Sequence, residues 1–452
     1  MRFSKTLPLL LIAIASLRAE APPVEGTLPE DYLPGLRPLL KQAVEQSPTT
    51  ITASIALAQA EAGRYLQSAA LWPSVNLGSS YQDTTEKISQ GTTSKARGLQ
   101  YNGNVTQPLF EWGALKNQAQ IGALGVKIAE KQFAEAYRQL AVTIREQYMG
   151  LVGKKLLLRN ARFGQKMADE ALATQLVRLE AGSVSEADVQ GFRLALEEAK
   201  LGADRAEEDY NYGKRLFIRL VGIDSLSEDS VPAELPHPEF SPVLADTVLA
   251  GFVGSGIEST FQNQVYRMML EEQDKSYKIA SVRLLPRVSA SAGFSKSNQT
   301  SVSRVSISQV AVQEENYSIA ANWTIFDGFS SKGQKLSALA QKRSYERVRQ
   351  TYVDSTIDTI ADMRRQIGFA SRAMGLAEVR NALIEVEVKR LGDDRNLGYA
   401  SQATIDAGIV TLNATQYNMA FSRSDYLSRW TEFVSLAGID PVMANVSQRY
   451  AR

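Results

Sequence analysis

The chain has 452 residues, 50 basic and 49 acidic, one histidine and no cysteine, and its formal net charge is +1. This near-neutral balance carries no nucleic-acid footprint, and the absence of thiols excludes a disulfide framework, a thiolate nucleophile and a lipidated N-terminal cysteine. His237 sits between Pro236 and Pro238 with no second histidine or cysteine to join it, so it reads as a linker residue, and neither a metal nor a cofactor is expected.

Residues 1–21 read as a secretory signal. Arg2 and Lys5 precede an apolar core too short to span a bilayer, and cleavage fits after Ala19 or Ala21. Residues 22–34 contain Pro22, Pro23, Pro29 and Pro34 and read as an extended leader. A short helix is predicted over 35–46. Ser47 then precedes Pro48, an N-cap followed by proline at the first helical position, and an alanine-rich helix runs from there to Leu71.

A hairpin is predicted over 73–109. Val75, Leu77 and Tyr81 alternate with Ser74, Asn76, Ser80 and Gln82, and Leu99, Tyr101 and Val105 alternate with Gln100, Asn102, Asn104 and Thr106. The polar stretch 83–98 between them reads as a loop. From Trp112 to Ala181 no proline occurs. Leu115, Ala119, Gly122, Val126, Ala129, Phe133, Ala136 and Leu140 form a heptad stripe, so a single helix of roughly 70 residues and about 100 Å is predicted. It breaks at 182–185, and a return helix runs from Glu186 to Leu220.

The pattern then restarts. The first repeat covers 35–224, a proline-rich linker 225–242, a second repeat 243–440 and a tail 441–452. The second repeat has its own hairpin, 286–326, with a Ser- and Gln-rich loop running to Glu315. Its long helix carries Met363, Ile367, Ala370, Met374, Ala377, Ile384, Val388 and Leu391 in heptad register, and a break is expected between Gly392 and Ala400. Leu71-Trp72-Pro73 recurs as Leu284-Leu285-Pro286. Phe110-Glu111-Trp112-Gly113 recurs as Phe326-Asp327-Gly328, and Leu220-Val221-Gly222-Ile223-Asp224 as Leu436-Ala437-Gly438-Ile439-Asp440. The offset stays at roughly 213–216 residues, the mark of an internal duplication.

After the signal no apolar run of about 18 residues occurs, so any membrane crossing must be a closed barrel. Strands with one apolar and one small-polar face match a barrel wall. Four strands cannot close, whereas three copies would supply twelve. The competing reading is a pair of soluble hairpins capping a coiled coil.

The order helix, Leu-x-Pro, hairpin, Gln107-Pro108-Leu109-Phe110-Glu111-Trp112-Gly113, very long helix resembles TolC-type outer-membrane efflux proteins, in the branch without a lipidated cysteine. The resemblance covers roughly residues 30–440. It implies a mainly α fold with a β-barrel part, assembled as a trimer. A twelve-stranded barrel would lie in the outer membrane, with a helical tunnel reaching into the periplasm. The implied partners are a periplasmic adaptor protein and an inner-membrane transporter, and the implied function is an exit duct in efflux or type I secretion. The segment 178–189 resembles the family's first tip turn, with Asp188 at the closed entrance. The segment 396–406 resembles the second, with Asp406 toward the lumen, although the spacing from Gly398 to Asp406 departs from the family's by about two residues. Arg395 and Tyr399 are candidate gate partners. Gly182, Ser183, Val184, Gly398, Ala400 and Ser401 are candidate adaptor contacts.

No catalytic constellation occurs. Gly251, Gly254 and Gly256 do not form a phosphate loop, and acid pairs such as Glu207-Glu208 and Glu271-Glu272 read as solvated helix faces. Both Asp188 and Asp406 also suit a plain helix start, where the macrodipole favours acids. Two functions compete: a passive channel, and a periplasmic spacer without a pore.

Overall fold

The structure, a computed structural model, describes residues 26–88, 92–302 and 307–446. The signal segment, the first residues of the leader and the end of the tail lie outside the described residues.

The first half contains α1 (Pro29–Tyr32), α2 (Leu36–Gln46), α3 (Pro48–Ala69), β1 (Ser74–Ile88), β2 (Thr92–Phe110), α4 (Ala114–Glu180) and α5 (Glu186–Val221). The second contains α6 (Pro242–Gly251), α7 (Ile257–Ser259), α8 (Phe261–Val282), β3 (Arg287–Val302), β4 (Ile307–Asn322), α9 (Ser330–Asn396) and α10 (Gln402–Leu436). Both α4 and α9 are 67 residues long, about 100 Å each.

Packing places these elements in three tiers. The strands form one antiparallel sheet in the order β1-β2-β3-β4. Beneath it the helices lie side by side as α3-α4-α8-α9, and lower still as α5-α4-α10-α9. Thus α4 and α9 run through both helical tiers, while α5 continues below α3. The Ser47 hydroxyl joins that pair, donating to the Leu220 carbonyl at 2.8 Å. Gly122 permits a close approach of α3 to α4, since a Cβ there would lie 2.8 Å from Gln67 Cβ and 3.0 Å from Arg64 Cα.

The main core sits where the tiers meet. Ile144, Val152, Phe217, Val221, Ile360, Trp430, Phe433 and Val434 are buried there with Leu36 and Leu40 of α2. Each such large side chain contributes about 1.5–3 kcal/mol by leaving water. The predicted α4 stripe is largely borne out: Gly122, Val126, Ala129, Phe133 and Leu140 are buried, as are Ile367, Ala370 and Met374 of α9.

Two local expectations are corrected. The leader reading of 22–34 fails at its end, because α1 forms there and Leu28 and Leu33 are buried. The described residues of the stretch 83–98, which are 83–88 and 92–98, are strand and not loop. Asp83 pairs with Arg97 and the ladder continues to Ile88 opposite Thr92, while Val302 pairs with Ile307 in the other hairpin. Polar side chains do not end a ladder, since its bonds are between backbones. The break expected between Gly392 and Ala400 falls in that window: α9 runs through Gly392, ends at Asn396 and turns at Gly398. An isolated glycine weakens a helix by about 1 kcal/mol without breaking it.

Candidate channel wall and tip turns

Register decides what the sheet presents. Val75 pairs with Val105, Val105 with Ala292 and Ala292 with Tyr317, so one row crosses all four strands. The next row on that face is Leu77, Gly103, Phe294 and Glu315. Gly103 is required there, because a Cβ would lie 2.3 Å from the Phe294 ring. The opposite face carries Ser74, Thr106, Ser291 and Ser318 in one row, then Asn76, Asn104, Gly293 and Asn316. Ser291 and Ser318 hydroxyls meet at 2.7 Å. One side is therefore an apolar and aromatic band, the other a polar lining. Val75, Leu77, Tyr81, Leu99, Tyr101, Phe294, Tyr317 and Ile319 are all exposed, and β1 and β4 have open edges within the chain. No helix among the described residues is long and apolar enough to cross a membrane. The strands, at 15–19 residues, exceed the 9–11 that a tilted spanning strand needs.

Where the sheet hands over to the long helices, two bulky residues adopt left-handed backbone, Trp112 at φ +53° and Phe329 at φ +69°. Such positions cost roughly 1–3 kcal/mol and need compensation. Trp112 stacks edge-on against Phe110 at 5.0 Å and donates its indole N–H to the Pro286 carbonyl at 2.8 Å, which ties the first half to the second. Phe329 meets Phe326 edge-on at 5.4 Å. Asp327 caps α9 by accepting from the Ser331 backbone N–H at 2.8 Å.

At the far end the two tip turns share one backbone. Gly182 (φ +66°) and Gly398 (φ +81°) end α4 and α9 in left-handed conformation. Ser183 N–H returns to the Arg178 carbonyl at 2.9 Å, and Tyr399 N–H to that of Asp394 at 2.7 Å. Three residues after each glycine comes the N-cap serine, Ser185 or Ser401. The side chains then diverge. Asp188, the third helical residue, closes a capping box: its carboxylate accepts from Ser185 N–H at 2.9 Å and Ser185 O–H at 2.7 Å. Those bonds hold its carboxyl below its ordinary value. In α10 that position is Thr404, whose hydroxyl lies 2.9 Å from that of Ser401. Asp406 stands two residues further in, half-buried, and accepts from the Gln402 amide at 2.7 Å.

Arg395 is exposed at the end of α9 with no carboxylate in ion-pair reach among the described residues, and Tyr399 is 83% exposed. Neither Arg395 nor Tyr399 hydrogen-bonds or ion-pairs with Asp188 or Asp406 within one chain among the described residues. Gly182, Ser183, Gly398 and Ser401 are exposed at the tips, while Val184 and Ala400 are half-buried.

One charged cluster was not anticipated. Arg145 of α4 is fully buried. It donates to Asp440 at 2.5 and 2.9 Å and to Glu30 at 2.8 Å, with a second, short bond to Glu30. Burial alone would lower the guanidinium pKa; the bond and charge of Asp440 and the charge of Glu30 raise it above its ordinary value. Its partners lie 115 and 295 residues away in the chain, beyond any motif. His237 is a linker residue as read, but its ring Nδ1 lies 2.7 Å from Glu378 Oε1.

The family model for outer membrane efflux proteins matches residues 39–211. No curated protein matches in sequence. In fold, the chain superposes on the CmeC outer membrane channel of Campylobacter jejuni at 13% identity and a TM-score of 0.68, covering 99% of this chain and 97% of that one. This is the TolC-type outer-membrane efflux fold. The outer membrane protein VceC of Vibrio cholerae gives a TM-score of 0.66 at 14% identity, covering 92% of this chain and 100% of that one. The open-state MtrE outer membrane channel of Neisseria gonorrhoeae gives 0.60 at 14% identity, covering 88% and 89%. The matched family and these TolC-type structures are outer-membrane proteins and channels, not enzymes.

Proposed function

We propose that this protein is the outer-membrane channel of a tripartite efflux or type I secretion system. It serves as an exit duct for an inner-membrane transporter joined through a periplasmic adaptor. The observation that carries this reading is the four-stranded sheet with one apolar face, one polar face and two unpaired edges, continuous with 100 Å helices that have edges of their own. In lipid an open strand edge is excluded, so β4 must meet β1 of another copy. Three copies close a twelve-stranded barrel with its polar face inward and its apolar band toward lipid.

The helical edges support the same closure. The outer face of α9, away from α10, carries Leu376, Val379, Leu383 and Val386, all exposed and in heptad spacing. The free edge on the other side is α5, with exposed Leu194 and Leu201. Leu201 and Val379 each lie 19 residues from their turn glycine, Gly182 and Gly398, and so stand at one height. Ring closure sets α9 of one copy against α5 of the next.

At the periplasmic end three-fold symmetry turns Asp406 into a ring of three carboxylates, which draws cations into the mouth. Gly182, Ser183, Val184, Gly398, Ala400 and Ser401 form the tips that an adaptor would meet, and Asp188, Arg395 and Tyr399 line the entrance. The duct should give small, rarely open steps in a planar bilayer and a detergent complex with the mass of three copies. A spacer would give neither. Asp406→Ala should fold normally and lose cation preference; unchanged selectivity would assign Asp406 to the helix end alone.

A further inference from the structure

The apolar face of the sheet has a height as well as a chemistry. From Trp323, just past β4, to Gln313 opposite Lys296 the chain climbs about 34 Å along the strand. At a barrel tilt of roughly 40° that is about 26 Å along the axis, close to the apolar band of about 25 Å on an outer-membrane barrel. Such bands are flanked by aromatic girdles. Exposed Trp323 and Phe110 mark the lower edge here, and Tyr101, paired with Lys296, marks the upper one.

Charge on the strands is sorted by face. Register puts Lys296, Arg97, Lys95 and Lys87 in rows of the apolar face, at and above its upper edge. Rows of the polar face hold Glu314 and Glu86, and the one remaining strand cation, Arg287, lies at the helical end. Two acids share the apolar face. Asp83 lies opposite Arg97, 3.7 Å from its guanidinium, and Glu315 lies opposite Phe294, one row below Lys296. Four cations against two acids leave that face net positive. Strand lysines often guard open edges. Lys296, Lys95 and Arg97 stand on β2 and β3, the inner strands of the copy, so edge protection does not account for them.

Arg97 and Lys296 are both exposed. Tyr81 braces Arg97: the guanidinium donates to the phenol oxygen and lies 6.0 Å from the ring centre. Lys296 has no carboxylate in ion-pair reach among the described residues. Below them the same face is hollow. Val105, Ala290, Ala292, Tyr317 and Ile319 line a shallow apolar groove of about 500 Å³. Small residues of β3 make its floor, and exposed Tyr317 and Ile319 of β4 make one wall. Groove and cations lie on neighbouring strands of a single copy.

We propose that this face of β2, β3 and β4 binds a phosphorylated lipid of the outer leaflet. The groove takes an acyl chain. Lys296, about 14 Å above Ala292 along β3, takes the phosphate at its head, and Arg97, two rows higher, takes a second phosphate. A cation at the edge of the apolar band is inexpensive to keep, whereas one at mid-band is not. Cations close to an anionic lipid surface each strengthen binding about five-fold. The proposal rests on the barrel reading for its orientation, because closure turns this face to lipid.

Native mass spectrometry of the full-length protein in detergent tests the site, with bis-phosphorylated lipid A and its dephosphorylated form as the probes. The phosphorylated probe should be retained preferentially. Lys296→Gln and Arg97→Gln should each weaken it about five-fold, and together about thirty-fold. Ala292→Phe, which fills the groove floor, should lower retention of both probes. Glu314→Gln, on the polar face, should change neither. Equal retention of the two probes by the unmodified protein, or a Lys296→Gln, Arg97→Gln double variant that binds like its parent, overturns the proposal. Conductance in a planar bilayer judges the channel reading separately: a protein that shows the expected lipid preference and never conducts fails that reading and keeps the lipid site.

Discussion

The two halves share a skeleton and differ in their fastenings. Each has a 67-residue helix, a left-handed glycine at its tip and a serine N-cap three residues later. Each closes its return helix with a left-handed glycine, Gly222 or Gly438. Yet the first half is fastened by charge and by crowding where the second is not. Arg145 binds two carboxylates, whereas Ala361 stands at the matching place on α9. Gly222 is pressed against the backbone at Gln46, while Gly438 has open space. Asp188 completes a capping box, while Thr404 offers only a hydroxyl. Backbone instructions need particular residue types and persist in both copies. Side-chain fastenings depend on what lies opposite, and the two halves face different neighbours.

That contrast can be broken most severely at Arg145. Arg145→Ala leaves Glu30 and Asp440 buried without a counter-charge and should cost about 3–5 kcal/mol, whereas Ala361→Ser at the matching place should change stability little. Chemical denaturation of both variants checks this, and a loss below about 1 kcal/mol for Arg145→Ala would mean that the cluster is solvated in solution.

The glycine pair gives the next largest effect. A Cβ on Gly222 would lie 2.0 Å from the Gln46 carbonyl oxygen, at φ +82°. Gly222→Ala should cost about 2–4 kcal/mol from overlap and backbone together. Gly438→Ala meets nothing within 4 Å and should cost only the left-handed penalty, about 1–2 kcal/mol. Equal losses in thermal melts would remove the asymmetry.

The smallest effect lies at the tips. The Asp188 carboxyl is held low by Ser185, so its help to the first turn is present above the unfolded value near about 4 and is lost as pH falls through the lower folded value. Amide exchange at residues 183–189 should therefore accelerate below that point, and at 399–405, with Thr404 in place of the acid, it should not. Asp188→Asn should abolish the difference.

Much of this skeleton was legible in the sequence because glycine, proline and alternation act locally. Pro73 and Pro286 end helices, Gly182 and Gly398 turn them, and the strand faces follow from period two. The hairpins run further than the polarity around Asp83 and Arg97 suggests, because polarity only sets what a strand presents. The end of the leader folds because Leu28, Glu30 and Leu33 find their partners across the fold. Nothing local in the chain marks Glu30 or Asp440 as partners of Arg145. Trp112 gave no sign of its left-handed backbone, since the stacking and the Pro286 bond that support it are tertiary. At the tips the acid spacing was legible; which acid caps its helix was not, because that depends on the N-cap each one can reach.

The central claim is that the open edges of one copy close on the next. The chain has no cysteine, so a single introduced pair tests it cleanly. Leu201→Cys with Val379→Cys sets one thiol on α5 and one on α9 at equal height from the tips, on opposite edges of the same copy. Mild oxidation of the assembled protein should yield disulfide-linked dimers and trimers on a denaturing gel, with nothing larger, and each single variant should stay monomeric. A double variant that remains monomeric after oxidation, or that ladders beyond three copies, would contradict the closed ring of three.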